Sequence, residues 1–100
     1  MTREFKIEHY LEKEIRKLNG RALKVICLGL NGFPDRLILL PHAYVVFGEC
    51  KKKTKTLDVL QNWFKGRILE PLGFKVYTIH QKKDVENLIN DYHKWCKKCF

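Results

Sequence analysis

Apolar positions along the chain follow two rhythms. Ile7, Leu11, Ile15 and Leu18 recur every three or four residues, the spacing of one helix face, and predict a helix over 4–18. Thr2 is placed to cap it, Glu4 lies in its first turn, and Asn19-Gly20 supplies the stop. The same rhythm at Leu57, Leu60, Phe64 and Ile68 predicts a helix over 57–69, with Pro71 and Gly73 beyond its end. Val85, Leu88, Ile89 and Tyr92, extended by Trp95, predict a third over 84–96. Elsewhere the runs are short and rich in β-branched and aromatic residues: 22–30, 37–40, 44–50 and 74–79 read as strands. Pro34 has no N–H to give a ladder and suits a strand start, and Pro41-His42-Ala43 reads as a turn. The unbroken apolar run YVVFGEC predicts a central strand buried on both faces. A helix between the third and fourth strands implies a parallel crossover. The expected fold is α/β, in the order α-β-β-β-α-β-α, a mixed sheet flanked by helices in one domain spanning 1–100.

Composition adds a small core and a strong charge. At 100 residues and 45% hydrophobic, the chain can bury a core to which dimerisation would add area. Twenty Lys and Arg against 11 Asp and Glu leave a net charge of +9, which favours a polyanionic partner, nucleic acid first. No long apolar run with signal-peptide flanks is present, which argues against a membrane and for a reducing cytoplasm. Cys27 and Cys50 sit in apolar runs and are expected to be buried. Cys96 and Cys99 lack the second pair a zinc site needs, and His93 alone could assist.

Chemistry concentrates in residues 32–51. If the second and third strands pair across the Pro41–Ala43 turn, the open end gathers Asp35, Glu49 and Lys51. Strand alternation puts Glu49 and Lys51 on one face and Cys50 on the other. Two carboxylates suit the hard ion Mg2+, with a backbone carbonyl near Cys50 as a further ligand. Such a metal would activate water and stabilise phosphoryl charge. Lys51 would orient or deprotonate that water, or stabilise the transition state, and the sequence leaves these roles open. Lys24 interrupts the first strand and either reaches solvent or faces a phosphate near the metal. Arg36 should face away from Asp35, bracing another element or marking a dimer surface. Gly48 leaves room for a ligand or neighbouring backbone. The cluster Lys51, Lys52, Lys53 and Lys55, extended by Lys65 and Arg67, is a candidate phosphate-binding surface; Lys94, Lys97 and Lys98 could form another.

Taken together, Gly32-Phe33-Pro34-Asp35-Arg36-Leu37, Val46-Phe47-Gly48-Glu49-Cys50-Lys51 and Leu60-Gln61 resemble the VRR-NUC domain family of the PD-(D/E)xK nuclease superfamily. The likeness continues through Leu72–Tyr77 and Asp84-Val85, and upstream through Glu4, Ile7, Glu8, Leu11, Gly20 and Lys24. Cys50 stands where a larger aliphatic is usual, Gly48 where an apolar residue is commoner, and the lysine- and threonine-rich connector after Lys51 where glycine and proline are frequent. The resemblance implies a restriction-endonuclease-like core and a metal-dependent DNA endonuclease using Mg2+, with Mn2+ substituting, and no organic cofactor. Small stand-alone members resemble Holliday-junction resolvases and act as homodimers, which implies branched DNA as substrate and products ending in 5′-phosphate and 3′-hydroxyl. By residue, it implies Asp35 and Glu49 as metal ligands, Lys51 as catalytic lysine, Gln61 as an active-site residue, and Glu4 or, one turn on, Glu8 as the first-helix acid. A flap- or nick-directed repair nuclease and a non-catalytic nucleic-acid-binding protein on a nuclease scaffold are the alternatives. A bacterial or phage origin fits the resemblance.

Overall fold

The computed structural model describes residues 3–29, 32–51 and 59–100, without the side chains of residues 3–5. Its elements are α1 (Arg3–Lys17), β1 (Arg21–Lys24), β2 (Arg36–Leu40), β3 (Tyr44–Cys50), α2 (Val59–Phe64, continuing as a π-helical turn over Lys65–Leu69), β4 (Val76–Ile79) and α3 (Lys82–Cys99). The order is the expected α-β-β-β-α-β-α. The strands form one sheet, β1-β2-β3-β4, antiparallel except for the parallel pair β3–β4. β3 thus lies between two hydrogen-bonded neighbours, which explains its unbroken apolar run. Thr2, Leu57, Lys52, Lys53 and Lys55 fall outside the described residues.

The two faces of β3 serve two cores. Tyr44, Val46 and Cys50 pack with Ile7, Leu11 and Ile15 of α1 and Val85, Leu88 and Tyr92 of α3. Phe47, on the opposite face, packs with Phe64 and Leu69, and Phe33 sets its ring edge-on to both Phe47 and Phe64. Each fully buried aliphatic side chain contributes about 1.5–3 kcal/mol, so the larger α1–α3 core anchors the sheet. The α2 core is smaller and ends beside the residues that carry chemistry. Asn19, rather than Gly20, takes the left-handed conformation that ends α1, at φ 66°, and the Gly20 N–H bonds back to the Ile15 carbonyl at 3.0 Å. No described helix is long and apolar enough to cross a membrane.

Several expectations change. β1 stops at Lys24 instead of running to residue 30. Val25 still donates to the Asp35 carbonyl at 2.8 Å, but beyond it the partner chain offers Pro34, which has no N–H. Cys27 is therefore exposed, not buried, because it lies past the end of the sheet. The stripe on α2 also shifts. Leu60 is exposed, and Leu69 is buried where Ile68 was expected to lead. The Glu70 N–H bonds to the Lys65 carbonyl at 2.9 Å, a five-residue step that turns the later side chains out of the α-helical phase. Gly48 makes room for core side chains and not for a ligand: a Cβ there would meet Ile38 Cδ1 at 3.2 Å and Ile79 Cδ1 at 3.3 Å. α3 starts earlier than residue 84, with Gln81 as cap and Asp84 completing a capping box.

Candidate active site

The register of the β2–β3 hairpin builds the site. Arg36 pairs with Gly48, so Asp35, one residue earlier, comes opposite Glu49 at the open end. Alternation then sends Asp35, Glu49 and Lys51 to the α2 face and Arg36, Gly48 and Cys50 to the α1 face. Glu49 is 6% exposed and held from two sides. The Asp35 backbone N–H donates to its Oε2 at 2.9 Å, and Gln61 Nε2, from α2, donates to its Oε1 at 2.6 Å. Lys51 Nζ stands 3.9 Å from the same Oε1. Asp35 Oδ1 accepts the Cys50 N–H at 3.3 Å. The four residues Asp35, Glu49, Lys51 and Gln61, far apart in sequence, share one corner.

Among the described residues, the cations near that corner do not offset the burial of its carboxylates. Burial, and then the charge of Asp35, push the Glu49 carboxyl up to about 7, against the hydrogen bonds from Asp35 and Gln61 and the charge of Lys51. Asp35 is also raised, chiefly by burial and further by the charge of Glu8, although the Cys50 N–H and the charges of Arg36 and Lys24 oppose this. Two hard-oxygen donors that penalise each other's ionisation are a donor set that a small divalent cation relieves, and Mg2+ fits it. Burial pushes the Cys50 thiol up to about 12, so it stays neutral in the core, and only its backbone carbonyl suits a hard ion. Among the described residues, no group of three His, Cys, Asp or Glu side chains comes together as a metal site. The side chain of Glu4 lies outside them.

No family model matches the chain. A solved structure described as a "VRR_NUC domain" superposes with a TM-score of 0.83 at 28% identity, covering 92% of this chain and 99% of that one. "Putative nuclease p44" of Acyrthosiphon pisum secondary endosymbiont phage 1 is 45% identical over 51 residues, 51% of this chain. The match spans 55% of that relative's length, about half of it. Over nearly its whole length the chain is similar to a VRR-NUC domain, and it shares that domain's PD-(D/E)xK-like fold.

In this chain, Glu8 has a different partner from the one expected of a metal ligand. Arg36, 3% exposed, reaches Glu12 at 2.7 Å and Glu8 at 3.3 Å, and donates to the Ala22 carbonyl at 3.3 Å. It braces α1 against the sheet, one of the two roles its position suggested. Sequence reading had no partner for it. The signal was present, because a lone arginine at a core-facing strand position requires an acid, and Glu8 and Glu12 lie one turn apart. Lys24 pairs in register with Arg36, so it leaves the sheet on the α1 face, yet it is exposed and its charge reaches Asp35. Lys65 is half-buried and Arg67 exposed on the turn after α2.

Proposed function

We propose that this chain is a divalent-metal-dependent endodeoxyribonuclease that hydrolyses phosphodiesters in branched duplex DNA, four-way junctions foremost, as a homodimer. The observation that carries this reading is the buried pair of Asp35 and Glu49 at the open end of the hairpin, with Lys51 and Gln61 beside it. The likeness to a phage protein named as a nuclease supports it.

When bound, Mg2+ or Mn2+ supplies Lewis acidity toward a phosphoryl oxygen and a more acidic water. The chain's own residues fix everything around that chemistry. Gln61 and the Asp35 N–H hold both oxygens of Glu49, so its carboxylate is oriented before substrate arrives. The Cys50 N–H does the same for Asp35. Lys51 carries an ammonium beside these carboxylates, where it counters charge developing on the attacked phosphate. Glu4 or Glu8 would supply a further acid from α1. Lys24, Lys52, Lys53, Lys55, Lys65 and Arg67 would hold backbone phosphates and set register without reading bases. Two sites in a homodimer would make paired cuts, leaving 5′-phosphate and 3′-hydroxyl ends in a bacterial or phage-infected cytoplasm.

The test is cleavage of four-way junction, flap, nicked and linear duplexes side by side with Mg2+, with and without EDTA. The reading expects junctions to be cut fastest and EDTA to stop all cutting. Faster cutting of flaps or nicks would move the substrate to repair intermediates, and no cutting of any substrate would leave a binding protein. A protein that stays monomeric on junction DNA would exclude symmetric paired cuts.

A further inference from the structure

A second concentration of charge lies away from the carboxylates. We propose that the groove between α1 and the first turn of α3 binds the phosphate backbone of a stretch of duplex DNA other than the one being cut. The inference rests on the nuclease reading above.

Lys6, Tyr10 and Lys13 of α1 and Lys82 of α3 line a groove of about 490 Å³. An adjoining cleft adds Lys83, and the next one along α1 adds Arg16. Lys6, Lys13, Arg16, Lys82 and Lys83 are all exposed. Lys82 Nζ sits 5.1 Å from the centre of the Tyr10 ring, which fixes one cation between the two helices.

The acids on these helices are mostly engaged elsewhere. Glu14 pairs with Lys17 at 2.9 Å, Glu12 with Arg36 at 2.7 Å, and Asp84 accepts the backbone N–H groups of His80 and Gln81. The charges of Glu14 and Glu86 both reach Tyr10 in the groove, and Glu14 is offset by its pairing with Lys17. From Lys6 to Arg16, α1 rises about 15 Å, over which one DNA strand presents roughly four phosphates.

The groove and the cleavage site share one end of the sheet and lie on opposite faces. Ile79 pairs with Cys50, and α3 begins at Lys82 just beyond it. α1 and α3 cover the face opposite to the one on which Glu49 meets Gln61. Duplex DNA is stiff over about 150 base pairs, so a straight duplex seated at Glu49 does not also follow α1. A separate arm of branched DNA does.

The test is the salt dependence of binding to a fluorescent four-way junction, read by anisotropy with Ca2+ in place of Mg2+. Wild type is compared with a Lys6→Gln/Lys13→Gln/Lys82→Gln variant and with an Arg21→Gln/Lys75→Gln control at exposed positions outside the groove. Losing three phosphate contacts should lower the slope of log Kd against log salt by about 2–3 and weaken junction binding roughly tenfold or more near 100 mM salt. The same variant should lose less on linear duplex, and the control should change the slope less than the triple variant. Wild-type binding with an unchanged slope in the triple variant overturns the groove and leaves the nuclease reading standing. An equal loss in the control overturns it too, because net charge would then account for the effect. Failure of the wild type to bind any DNA overturns the nucleic-acid reading itself.

Discussion

Asp35 faces the α2 side of the sheet, where it meets Glu49 beside Lys51 and Gln61, whereas Arg36, the next residue, faces α1, where Glu8 and Glu12 surround a buried guanidinium. Both settings are partly dry and charged, yet they end differently. Around Arg36 the opposite charges meet at 2.7 and 3.3 Å, and the cluster ties a helix to a strand. Around Glu49 two like charges are held close by backbone and amide hydrogen bonds, and both carboxyls are pushed up. A folded chain resolves such a conflict when packing requires it to. Like charges held close and oriented, with both carboxyls raised, are the environment in which functional sites concentrate, and this contrast is the basis for proposing a cation there.

Three variants sharpen the contrast. Lys51→Ala removes the ammonium that stands beside Glu49 and should slow cleavage by about 10²–10³-fold. Its ion pair is loose, at 3.9 Å, so urea unfolding should move by no more than about 0.5 kcal/mol. Arg36→Ala should behave in the opposite way. It strands two acids and should cost about 2–3 kcal/mol in urea unfolding, below the largest values for buried pairs because Glu12 is 41% exposed. Arg36→Met combined with Glu8→Gln and Glu12→Gln should recover most of that loss, because no charge is then left unpaired.

The next effect is a pH dependence. The Glu49 carboxyl is raised from 4.5 to about 7 on folding, so its contribution to stability is complete below its unfolded value and is lost as pH rises through about 7. The raised Asp35 acts in the same direction. Metal-free protein should therefore lose on the order of 2 kcal/mol between about pH 5 and pH 8. Glu49→Gln should flatten that profile, and millimolar Mg2+ should offset it in the wild type. A profile equally steep in Glu49→Gln would remove the electrostatic half of the contrast.

The smallest effect lies at the far end of the same hairpin. His42 and Ala43 both take left-handed backbone angles, at φ 67° and 59°. Ala43→Gly relieves a steric cost of about 1–2 kcal/mol and loses about 0.5–1 kcal/mol to chain entropy. It should raise stability by about 0.5 kcal/mol and leave cleavage unchanged. This would show that the hairpin's two ends are independent.

Most of this arrangement was legible in the chain. β3 reads correctly from Tyr44 to Cys50 because a strand with neighbours on both sides has no polar face to blur its limits. The opposition of Glu49 and Lys51 to Cys50 follows from strand alternation alone. The end of β1 was hidden because it depends on a partner: Val25 to Leu28 look like strand, but Pro34 gives them nothing to bond. The phase of α2 was hidden because a π-helical turn breaks the 3.6-residue period on which the stripe was read. The Arg36 cluster was half legible, since the need for a partner was local and the partner's identity required α1 to be docked. The raised carboxyl of Glu49 depends on burial and on Asp35, and neither is visible until the strands pair.

The central claim is that Asp35 and Glu49 form a cation site that cuts DNA. Its most direct test is single-turnover cleavage of a labelled four-way junction by wild type and Asp35→Asn with Mg2+, alongside junction binding by both. The expected result is cleavage by the wild type, none by Asp35→Asn, and binding retained by both. Equal cleavage by Asp35→Asn would contradict the assignment.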